Sequence, residues 1–179
     1  MTTVFDETAE GTRQETVRMT VWQPADGGLS MELPEGFSSM EESRREAYFP
    51  LEDRPERILE YAGEEVQITF QITGQPMKKE ETAAAAEQIR ETAEEAARYG
   101  CSPVYLERTG EIRAAWFLIQ MKDMEKEHIK AVLSVKNRMA LLTLTYPEDA
   151  GFKWRALWEM ILGSMKEEKD HGADGKWRF

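Results

Sequence analysis

Few residues of the chain are of the types that do catalysis. Histidine, which titrates nearest neutral pH and is the commonest zinc ligand, occurs twice, as His128 and His171. Cys101 is the single thiol. His128 precedes the alternating apolar residues Ile129, Ala131 and Leu133, a strand pattern that directs it outward together with Lys130. His171 lies in Asp170-His-Gly-Ala-Asp174, which could offer metal oxygens and an imidazole, but the surrounding polar, glycine-rich tail reads as solvated chain. No spacing brings either histidine beside Cys101 or a serine, so a nucleophile and its base are not legible. Carboxylate doublets such as Glu41-Glu42, Glu64-Glu65, Glu80-Glu81 and Glu94-Glu95 suggest acid–base pairs. Neighbouring side chains diverge by about 100° on a helix and lie on opposite faces of a strand, so a doublet does not make a dyad. Phosphate-cradling glycine loops and the His-Glu-x-x-His zinc pattern are absent from the sequence. The expectation is a chain without catalytic residues, metal or cofactor.

Two segments fit binding better. In Tyr48-Phe-Pro-Leu-Glu-Asp-Arg-Pro55, the residues Phe49, Pro50, Glu52, Asp53 and Arg54 crowd a loop stiffened by two prolines, which loses less entropy on binding. The same loop also reads as a rigid crossover in which Asp53 pairs with Arg54 or Arg57. At the C-terminal end, Lys176-Trp-Arg-Phe179 either tucks Trp177 and Phe179 back onto the domain or offers them as anchors.

Charge narrows the partner. The net charge of −11 is uneven: residues 1–100 carry 22 acidic and 10 basic side chains, residues 101–179 carry 12 and 13. Such a surface repels polyanions, so nucleic acid is not the expected partner. Solubility explains the acidity, as does a basic partner. A lone cysteine excludes an intrachain disulfide. The first residues lack a basic and apolar leader pattern, and the apolar run Ala114–Ile119 is far short of the ~20 residues that cross a bilayer. A cytoplasmic protein that neither spans nor binds a membrane is expected.

The elements that must position these residues are mostly strands. Residues 1–16 lack periodicity and read as a mobile arm or a loosely docked strand, residues 17–167 as one domain, and residues 168–179 as a tail. Val17, Met19 and Val21 alternate with polar residues and pair across Pro24–Gly28 with Leu29, Met31 and Leu33. A short helix capped by Ser38 or Ser39 runs to Tyr48. Arg57–Tyr61 and Val66–Ile72 make a second hairpin, with Val66, Ile68, Phe70 and Ile72 inward and Gln67, Thr69 and Gln71 outward. Lys79–Tyr99 is an alanine-rich helix with a small-sided inner stripe. Val104–Arg108 and Ile112–Met121 follow, and the non-alternating Ala114–Ile119 reads as a strand covered on both faces, hence central. Ile129–Val135 and Met139–Tyr146 pair, and a last helix runs from Ala150 to Lys166 with Trp154, Leu157, Trp158, Ile161 and Leu162 on one stripe. About eight antiparallel strands with three helices define an α+β fold.

Several segments resemble the PsbP-like superfamily, which includes the Ran-binding nuclear import factor and DcrB-type lipoproteins. They are the hairpin ending in Leu33-Pro-Glu-Gly-Phe37, the helix leading into Tyr48-Phe-Pro50, the long middle helix, Met139–Pro147, Phe152-Lys-Trp and Ile161-Leu-Gly-Ser-Met165. The resemblance implies an α/β/α sandwich around an antiparallel sheet and a mostly non-enzymatic binding or accessory role. It carries over no active site, because the similar positions are packing positions. Many bacterial members are exported or lipid-anchored, unlike the reading of this N-terminus. The function expected is recognition of another protein. The alternatives are a small-ligand carrier or unfamiliar enzyme with a pocket between helix and sheet near Trp116 or Tyr99, and a self-associating subunit.

Overall fold

A computed structural model describes residues 2–8, 11–24, 28–50, 54–61, 63–96, 100–107 and 112–168. The fold is α+β, built on an eight-stranded antiparallel sheet with helices on both faces. The chain opens with a hairpin, β1 (Thr2–Thr8) and β2 (Gly11–Val17), where the sequence suggests a mobile arm or a loosely docked strand. Threonine and valine favour extended backbone, and Val4 is buried against the rest of the protein, so these residues are docked. A second hairpin, β3 (Met19–Trp22) and β4 (Met31–Pro34), follows as expected, but Val21 is 65% exposed and points away from the core. β5 (Phe37–Ser39) then enters the main sheet through Gly36, whose φ is 120°. A Cβ at Gly36 would stand 2.9 Å from the Tyr61 ring, so both backbone and packing require glycine.

The helix α1 (Glu42–Tyr48) begins after Glu41 rather than at a serine, because Ser38 and Ser39 are drawn into β5. β6 (Arg57–Tyr61) and β7 (Gln67–Pro76) pair as the alternation predicts. A 3₁₀ turn, Lys79–Glu81, leads into α2 (Thr82–Glu95), and the Glu81 carboxylate accepts the Lys78 backbone N–H at 2.7 Å. Then come β8 (Gly100–Cys101), β9 (Tyr105–Glu107), β10 (Ala114–Met121), β11 (Lys126–Val135), β12 (Arg138–Pro147) and α3 (Gly151–Ser164). Lys136 and Asn137 both take positive φ, the geometry of a tight hairpin turn that matches strand twist.

The strand order is β5-β6-β7-β12-β11-β10-β8, with β9 also on β10. β10 is buried on both faces as predicted but lies next to the edge, and β11 and β12 take the centre. Burial on both faces reports the helices above and below a strand, not its rank in the sheet. One face packs on α3 together with the hairpins β1–β2 and β3–β4. Trp154, Leu157, Trp158, Ile161 and Leu162 of α3 meet Phe70, Leu142, Leu144 and Ile129 there. After α3 the chain returns to pair Lys166 with Ser30. The other face carries α2, whose Ala85, Ala86 and Ile89 sit close on β10 and β11. Among the described residues no helix is long and apolar enough to cross a membrane.

A cleft between helix α2 and the sheet

A helix is about 10 Å across and strands lie ~4.8 Å apart, so one helix covers about two strands. α2 occupies β10 and β11. On the same face α1 is tied to β6, where Arg44 Nη2 meets Glu60 Oε1 at 2.5 Å. The floor between them, over β7, β12 and the near side of β11, is left open. The result is a cleft of about 770 Å³, within the ~300–1,000 Å³ of small-molecule sites.

Two cross-strand rows make the floor, since directly opposed residues of an antiparallel ladder share a face. The first runs Ile119–His128–Thr145–Gln67, the second Lys130–Thr143–Thr69, continued outside the cleft by the buried Phe117. Gln88, Ile89, Thr92, Ala93 and Ala96 form the α2 wall, and Phe49 and Pro55 the opposite one. The alanines that pack α2 tightly on its own strands also keep this wall shallow.

His128 therefore points not to open solvent but into the cleft, half-buried. Burial, then the nearby Lys130 and Lys126 charges, push its pKa down to about 4, so it is neutral at pH 7. Its Nδ1 lies 2.5 Å from Thr145 Oγ1 and its Nε2 3.1 Å from Met121 Sδ. The tautomer that satisfies both has the Thr145 hydroxyl donating to Nδ1 and Nε2–H donating to sulfur. Lys130 is lowered in pKa by burial.

This pairing of hydroxyl and imidazole is not an acyl-transfer site. A base near pH 4 takes a proton from threonine poorly, and Thr145 stands in a strand laddered on both sides, which leaves no free N–H groups for an oxyanion. Cys101, half-buried beside α2, has its thiol pKa raised by burial and then by Glu94, so it is no thiolate. Among the described residues no group of histidine, cysteine or carboxylates could hold a metal ion. The doublets resolve into separate ion pairs: Glu64 with the buried Lys153, Glu65 with Lys126 and Glu94 with Arg90.

Of the residues singled out in the 48–55 loop, Phe49 lines the cleft, Pro50 is exposed beside it, and Arg54 pairs with Glu42 at 2.7 Å. Glu52, Asp53, Trp177, Phe179, Tyr99 and His171 lie outside the described residues. Trp116, expected beside a pocket, is on the opposite face, where its ring centroid is 6.0 Å from that of Trp158. The floor residues escaped notice because Gln67, Thr69 and their neighbours read as a wet face. One signal was available. In a chain 32% charged, the polar positions of β7 and β12 on this face are threonine and glutamine throughout 67–71 and 143–145.

A sheet covered fully on one face and partly on the other defines a class of α+β scaffold with a lateral groove. No family model matches the chain, and no curated protein matches it in sequence. Solved structures match in shape. The solution structure of cyanobacterial PsbP (CyanoP) from Synechocystis sp. PCC 6803 superposes with a TM-score of 0.58 at 11% identity, covering 86% of this chain and 94% of that one. The crystal structure of LpqN, involved in cell envelope biogenesis of Mycobacterium tuberculosis, gives a TM-score of 0.49 at 12% identity, covering 87% and 93%. The chain has the PsbP-like fold, as the sequence resemblance implies.

Proposed function

We propose that the chain is a non-catalytic binding module that holds a small ligand in the cleft between α2 and the sheet. The observation that supports this is the cleft itself, with one apolar wall from Ile89 and Ala93, another from Phe49 and Pro55, and a polar floor of Gln67, Thr69, Thr143, Thr145, His128 and Lys130. Convergence of a few polar groups in an apolar concavity is the usual form of a ligand site. The test is thermal-shift screening of the full chain against a metabolite library, in parallel with Ala93→Trp, which fills the cleft. A ligand should raise the melting point of the parent chain and not of the variant. A library that shifts neither, or both equally, overturns the reading. A protein partner is the second reading, supported by Tyr48, 52% exposed, beside Phe49 and Pro50 at the mouth. In that case Phe49→Ala abolishes association while Ala93→Trp leaves it unchanged. The proposed compartment is the cytoplasm.

A further inference from the structure

We propose that the ligand is an apolar molecule bearing a single carboxylate, its head group on Lys130 and its body between α2 and Phe49; this rests on the cleft being the binding site. Lys130 lies on the floor of the cleft, half-buried, and makes no ion pair or hydrogen bond through its ammonium among the described residues. The chain has 34 acidic against 23 basic side chains, so an internal carboxylate would be the easiest partner to supply. The cations Lys153 and Arg155, over the other face of the sheet, have one. Lys153 has Glu15 and Glu64, and Arg155 has Glu127.

Around Lys130 the described residues supply none. Its cross-strand neighbours Phe117, Thr143 and Thr69 are uncharged. In the adjacent row His128 is neutral, and Glu60, opposite Gln67, is held by Arg44. A partly dehydrated ammonium facing an empty polar floor is completed by an anion from outside. One cation matches one negative charge. A phosphate would bring nearly two charges and needs clustered arginine or lysine, against the net charge of −11. A carboxylate needs only the ammonium for one oxygen and a hydroxyl such as Thr143 for the other. The rest of the volume, bounded by Ile89, Ala93, Ile119 and Phe49, takes hydrocarbon.

The experiment is calorimetric titration of the full chain with sodium octanoate and with 1-octanol, which has the same chain length and no charge. Octanoate is expected to bind about tenfold more tightly than octanol, as one charge-assisted contact implies. Lys130→Met, or Lys130→Gln should the first variant fold poorly, is expected to abolish that preference while octanol binding persists. Equal binding of acid and alcohol to the parent, or a preference that survives in the variant, overturns the carboxylate assignment and leaves the cleft standing. Binding that Ala93→Trp does not reduce, or no binding of either probe, overturns the cleft as well.

Discussion

Lys153 and Lys130 enter the protein from opposite faces of one sheet, into opposite surroundings. On the α3 face Lys153, with only 5% of its side chain exposed, reaches Glu15 of β2 at 2.8 Å and Glu64 at 3.5 Å. Burial works against its charge, and the two carboxylates outweigh it and raise its pKa. On the same face Glu127, itself buried, accepts the Tyr146 hydroxyl at 2.7 Å and is gripped by Arg155. Contacts with Glu127 and Tyr146 outweigh burial at Arg155 and raise its pKa as well. On the α2 face Lys130 and His128 meet burial without a carboxylate among the described residues, and both lose basicity. A buried charge that is paired at home is architectural; one left unpaired at the floor of a cleft is available.

The contrast breaks most visibly at Arg155. Arg155→Met leaves the Glu127 carboxylate buried with the Tyr146 hydroxyl as its remaining side-chain partner, and should cost about 3–5 kcal/mol, read from urea unfolding. A loss below about 1 kcal/mol would mean that the α3 face does not depend on its ion pair.

Acid should separate the two faces next. The folded pKa of His128 is about 4 against 6.5 unfolded, so as pH falls the unfolded chain takes up the proton first. Its contribution is present above pH 6.5, is lost between about 6.5 and 4, and is constant below. The loss amounts to about 3 kcal/mol. Urea midpoints measured across that window should fall less steeply in His128→Asn, and parallel curves would place the imidazole in water.

Smaller effects distinguish the lysines. Lys153→Met should lose about 1–2 kcal/mol, because Glu15 and Glu64 are both partly exposed and can rehydrate. Amide exchange in residues 2–17 should rise with it, since the Glu15 contact helps dock the first hairpin. Lys130→Met should instead gain about 1 kcal/mol by removing a dehydrated, unpaired ammonium. If both lysines destabilise on replacement, Lys130 has a partner and the asymmetry fails.

The sequence separates these faces but does not say what lies on them. Alternation places His128 and Lys130 opposite Ile129 and Ala131, and the sheet bears that out. It cannot report that α2 roofs the polar side, because period 2 fixes which residues share a face and not what covers it. The β11–β12 hairpin and the α3 stripe are legible because apolar periodicity and local turn geometry determine them. Ser38 and Ser39 fail as caps because pairing with β6 outweighs a local side-chain bond. The β1–β2 hairpin is legible only as one alternative, a loosely docked strand, for a related reason. Its residues are mostly polar, and Val4 and Val17 acquire a core only when α3, far along the chain, arrives.

The ends of the main sheet set a limit on its company. β5 and β8, the outermost strands, are three and two residues long, and β9 adds three more on the β10 side. A long strand at an edge is a row of unsatisfied amides and carbonyls that invites another chain to add itself, copy upon copy. Among the described residues, ten-residue strands occur only as β7, β11 and β12, each with a neighbour on both sides. The borders are too brief to template growth, so the sheet can stay broad enough to floor a cleft without seeding a fibre.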